Sequence, residues 1–154
     1  MIEIVFPSFL SGRRGIALLL LRLFVGIAFL FHGYGKLVDI SGFAAEFGMP
    51  HLIAAVAAYV QFGAGLLLVL GLFTPVASLA LAGTMAVATS QLMGRGEPFV
   101  SPHGHSWEAS SFYFVSNVAL ILLGPGLYSF DWLLFGRKHV SLLVQPSGGF
   151  RALS

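Results

Sequence analysis

Apolar runs of membrane-crossing length constrain this chain more than any other feature of its sequence. A hydrocarbon core takes about 20 helical residues to cross. Runs of that kind lie at about 16–38, 52–73, 76–93 and 109–125. Buried helices of a soluble protein can be equally apolar, so composition has to decide between water and lipid. Hydrophobic residues make up 57% of the chain and charged residues 9%. A soluble domain carries about 25% charged residues, so the polar material needed to coat a water-exposed surface is missing. The sequence therefore predicts an all-α, integral membrane four-helix bundle, a single domain over residues 1–154 that contacts the lipid bilayer.

Function classes fall away on the same ground. A net charge of +2 with no basic run gives no footprint for nucleic acid. The absence of cysteine excludes disulfides, thiolate nucleophiles, CxxC relays and cysteine-ligated clusters within this chain. No Walker loop, GxGxxG, HExxH or GxSxG is present. The runs also lack an intramembrane Asp/Glu relay, which leaves little support for a proton-coupled transporter.

Leu72-Phe73-Thr74-Pro75 parts the second run from the third. Proline is tolerated in a first helical turn, and Thr74 is expected to cap the exposed amides. So short a turn makes the two helices antiparallel neighbours. Gly124-Pro125-Gly126 ends the fourth run. Arg13-Arg14 ahead of the first run has the look of a signal peptide, but the run is too long for an h-region and no small-x-small site follows. It is read as a retained span. Residues 2–10 form an expected amphipathic lead-in.

Positive charge sets the orientation. Arg13 and Arg14 precede the first run, and Arg137, Lys138 and Arg151 follow the last. The 39–51 connection carries Asp39 and Glu46, and the 94–108 connection carries Glu97 and Glu108 against Arg95. Both termini are expected on the cytoplasmic side, with Trp132, Tyr128 and Phe135 at the interface there.

Polar residues inside apolar runs are the site candidates. Arg22 lies two turns into the first run, at a cost of about 2.5–3.5 kcal/mol on insertion scales. It is expected to face the bundle, with Gln61, Thr84 and Asn117 within reach, or to snorkel to the headgroups on its long stem. His32 and Lys36 fall near the outer end of the first run. Gly26 and Gly33 on the first run, with Gly63 and Gly65 on the second, are expected to let those helices approach closely. His51, His103 and His105 share the outer side with His32, but their spacing matches no closed zinc motif, and no metal is expected.

Read together, these segments carry a family resemblance. Leu20-Leu21-Arg22-Leu23 through Gly26, Phe29, His32-Gly33 and Lys36-Leu37 resembles the opening helix of the DoxX family. Gln61-Phe62-Gly63-Ala64-Gly65 running into Leu70-Gly71-Leu72-Phe73-Thr74 resembles its second helix, and Trp107-Glu108 its usual start of the fourth. The ending Gly124-Pro125-Gly126 through Ser129 and Asp131 is similar to its closing pattern. The resemblance covers most of residues 16–131, and at position 61 the family usually has Glu where this chain has Gln. It implies a multi-pass protein of the bacterial or archaeal cytoplasmic membrane, an oxidoreductase subunit of a redox system or respiratory complex that binds a quinone or another apolar ligand between its helices. On that analogy, Arg22, His32, Lys36, Gln61 and Asn117 orient the ligand, while Phe29, Phe62 and Tyr113 pack against it. The alternative is a non-catalytic accessory subunit that assembles with other membrane subunits.

Overall fold

The computed structural model describes residues 10–136. Residues 2–9 of the expected lead-in, together with Arg137, Lys138 and Arg151, lie outside that range. Regular structure among the described residues is entirely helical. α1 spans Gly12–Val38, α2 Ile40–Phe47, α3 His51–Leu70, α4 Thr74–Gly94 and α5 Glu108–Leu123, followed by a π-helical turn over Trp132–Gly136. α1, α3 and α4 are each long and apolar enough to cross a membrane, and α5 is a shorter apolar helix. The chain is an integral membrane protein of the helical-bundle class.

Helix ends follow local chemistry. Gly71 takes the left-handed conformation (φ 67°) that closes α3, and Leu72 N–H reaches back to Leu67 O at 2.9 Å. Such a stop satisfies the last carbonyls and turns the chain sharply. α4 then starts at Thr74 with Pro75 in its first turn, where the missing N–H costs nothing. Thr74, however, does not cap. It is already the first helical residue, its buried hydroxyl caps no amide, and Asp131 supplies the acceptors instead.

The 39–51 connection contains a helix. Asp39 Oδ1 accepts from Gly42 N at 2.8 Å to start α2, and Gly48 (φ 60°) ends it. Both signals were present in the sequence, as an Asp cap and a glycine stop around an apolar octet.

α1 packs chiefly on α3, and α4 on α5, with lesser contact between α3 and α4. The α1–α3 seam rests on small residues. A Cβ on Gly26 would lie 2.9 Å from Gly65 O, and one on Gly33 only 2.5 Å from Phe62 N. Gly63, expected in this seam, points into open space. At one step per 100° it is turned well away from Gly65, so of the expected pair only Gly65 faces α1. Val25, Phe29, Leu68, Leu81 and Leu120 form the centre of the core, while Leu20, Phe24, Phe31 and Tyr34 present apolar surface outward on α1. In lipid that surface is solvated, not exposed.

Candidate functional site

The polar residues of the spans separate into two groups at opposite ends of the bundle. Arg22 and Lys36 are fourteen residues apart on α1, about 21 Å along the axis. No single ligand head can touch both.

The group around Arg22 is a clasp. Arg22, only 2% exposed, donates through Nη1 to Pro125 O at 2.7 Å and through Nη2 to Tyr128 O at 2.5 Å. Its guanidinium lies over Gly71, where a Cβ would stand 2.6 Å from Cζ. Asp131 is fully buried beside this arrangement. Its Oδ1 accepts from Phe73 N at 2.7 Å, its Oδ2 from Thr74 N at 2.9 Å, and its own N–H donates to Gly71 O at 2.9 Å. A carboxylate at a helix N-terminus meets both free amides and the positive end of the helix dipole. Ser129 Oγ donates to Gly126 O at 2.7 Å, which fixes the turn that delivers Asp131. The whole 124–131 segment is thus bound to α1 and to the α3–α4 turn.

Arg22 therefore neither snorkels nor pairs with Gln61, Thr84 or Asn117. Two carbonyls of the irregular 124–131 segment, which a helix would have bonded internally, accept from Nη1 and Nη2, while the buried Nε has no hydrogen-bond partner among the described residues. Asn117 is fully buried and turns back on its own helix, Nδ2 donating to Tyr113 O at 2.8 Å.

The group around Lys36 lines a cleft of about 1040 Å³. Its walls come from α3 (Ile53, Val56, Ala57, Val60) and α4 (Leu79, Gly83, Thr84, Val87). α1 provides His32, Gly35 and Lys36 at its deep end, and α2 provides Phe43 and Phe47 as a roof. Lys36 Nζ donates to Gln61 Oε1 at 2.5 Å and sits 4.9 Å from the centroid of Phe43. Gln61 is buried at the base of the cleft. His32 lines the same space while its ring lies edge-on to Tyr113 (5.8 Å between centroids) and Phe29 (6.4 Å). Few polar groups converging in an otherwise apolar recess of this size is the usual composition of a small-molecule site.

Of the five sequence candidates, His32, Lys36 and Gln61 meet in the cleft, whereas Arg22 and Asn117 do not line it. Position 61 pairs with Lys36, not with Arg22. Phe29 and Tyr113 back His32 from outside the lining, and Phe31, Phe43 and Phe47 are the aromatic residues that face the cleft. Phe43 and Phe47 lie on α2, inside a connection too short to carry an apolar run that would mark it in the sequence. Among the remaining histidines, His105 Nε2 stands 3.5 Å from Glu46 Oε1. No group of three metal-ligating side chains forms among the described residues.

A family model described as DoxX matches residues 17–94, about half of the chain, from α1 through α4. The matched stretch contains Arg22, His32, Lys36 and Gln61, and the closing segment 124–131 lies beyond it. Comparisons with curated proteins and with solved structures return no match.

Proposed function

The chain belongs to the DoxX family, and from that premise we propose that it is an integral membrane subunit of a redox system, holding a quinone or another apolar ligand in the α3–α4 cleft. The observation that carries this reading is the Lys36–Gln61 pair at the base of an apolar recess. An ammonium has three donors, and Lys36 uses one on Gln61, so it retains donors for the oxygen of a ligand head. Phe43 and Phe47 offer ring faces to a planar head group, and His32 offers an imidazole nitrogen able to take up or release a proton. A quinone, when bound, would supply reversible two-electron chemistry that these side chains lack. Arg22 and Asn117 belong to the scaffold in this reading. Both termini are on the cytoplasmic side of a bacterial or archaeal membrane, which puts the cleft towards the outer leaflet.

Native purification in mild detergent, with mass spectrometry of bound lipophilic molecules, tests the reading. Wild-type protein is expected to retain quinone, and Lys36→Met with Gln61→Leu to lose it while staying folded. Wild-type protein that purifies without quinone, and whose melting is unmoved by added quinone analogues, would refute it. The accessory-subunit reading draws on the clasp, where the most deeply buried charges serve the fold alone. A stoichiometric enzyme partner in the same purification, with its activity intact in the Lys36→Met variant, would favour that reading.

A further inference from the structure

We infer that the cleft is filled sideways from the bilayer, between α3 and α4, by an amphiphile with an uncharged, acceptor-bearing head; this rests on the ligand site proposed above. Three observations support it. The first is where the cleft is open. Val56, Leu79 and Val87 line it and are each more than half exposed. A Cβ on Gly83, between them, would meet nothing within 4 Å. These are apolar residues in membrane-crossing helices, so the mouth they form faces acyl chains.

The second observation is where the cleft is closed. α2 roofs its polar end, and side chains from α1 and from the 95–107 connection rest on it. Lys36 lies against Phe43 from below, and Phe47 packs at 5.1 Å on Phe43. From the 95–107 connection, Arg95 lies 5.1 Å from the Phe47 centroid, and His105 contacts both the Phe47 ring and the Glu46 carboxylate. The connection that reaches α2 comes from the α4–α5 half of the bundle, so the roof ties the two halves together over the polar end.

The third observation is charge. Lys36 lines the cleft together with Asp39 and Glu46, two carboxylates against one ammonium. An anionic head would lie beside the two carboxylates, and a cationic ammonium head has no lone pair with which to accept from Lys36. A carbonyl or hydroxyl oxygen accepts from Lys36 without either penalty. The tail then lies along Val60, Val56 and Gly83 and leaves through the mouth.

Photolabelling in phosphatidylcholine nanodiscs separates the route from the ligand. A phosphatidylcholine carrying a diazirine in its acyl chain is expected to label Ala57 and Thr84 inside the cleft, and Gly83→Leu to reduce that labelling at least fivefold. Label confined to outward residues such as Leu66 and Leu122 overturns the lateral mouth, whatever the ligand. A photoreactive quinone analogue is then tested in Glu46→Cys/His105→Cys, which has no competing cysteine, before and after bridging with dibromobimane. Equal labelling of the cleft in both states supports entry from the bilayer, and loss of labelling on bridging makes the roof the entrance. Acyl-chain label in the cleft without quinone label leaves the mouth standing and refutes the quinone. Preference for an anionic fatty acid over its neutral methyl ester, in competition with the quinone analogue, would overturn the uncharged head.

Discussion

Arg22 shows how a charge is kept at membrane depth when no acidic side chain meets it directly. Two backbone carbonyls receive its protons, and the Asp131 carboxylate attracts it from beyond them. Removing one side of a buried, hydrogen-bonded charge pair is costly because the other side stays behind. Arg22→Ala is therefore expected to destabilise the protein by about 3 kcal/mol. Asp131→Asn keeps one acceptor and should lose about 1–2 kcal/mol. Thermal unfolding in a single detergent measures both, and an Arg22→Ala protein as stable as wild type would show that the clasp contributes nothing. Arginine's presence in the span was legible at once from the sequence, but its partners were not. Backbone carbonyls carry no sequence signature, and the segment that provides them lies more than a hundred residues away.

At the scale of elements, the helices and the tight α3–α4 turn were legible because apolar length, Gly71 and Pro75 each act locally. α2 was hidden because a single eight-residue helix leaves no periodicity to read, although its Asp39 cap and Gly48 stop were in view. Glycine roles were half legible. The α1–α3 seam depends on rotation about each helix, and Gly63 and Gly65, two residues apart, point about 160° away from each other. Gly33→Ala is expected to cost about 1–3 kcal/mol by forcing α1 off Phe62. Gly63→Ala should be neutral or slightly stabilising, since its Cβ enters open space and alanine favours helix. Melting temperatures of the two variants check the pair, and equal losses would mean that the seam is not close-packed at Gly33.

For the molecule as a whole, α1 runs about 40 Å and α5 about 24 Å, against a hydrocarbon core of about 30 Å. The shortfall of α5 is made up by the 124–131 segment, whose irregular backbone is tolerable at depth because protein groups satisfy it. Orientation, in contrast, followed only from charge counting in the sequence, part of it on residues beyond 136. A cysteine-free chain makes it directly measurable. In intact cells a membrane-impermeant thiol reagent is expected to label Pro102→Cys and to spare Ser11→Cys until the membrane is broken. The reverse pattern would turn the molecule over and put the cleft in the inner leaflet.

The clasp also orders the making of the protein. The start of α4 has two amides waiting for Asp131, and Arg22 has been in the membrane since the first helix entered it, yet their partners are translated only after α5. Until residue 131 leaves the ribosome, the bundle holds an uncompensated cation and an uncapped helix, the marks by which membrane proteases and chaperones recognise an unfinished substrate. Closing the clasp removes both marks at once, so the bundle cannot be completed before the 124–131 segment has followed α5 into place.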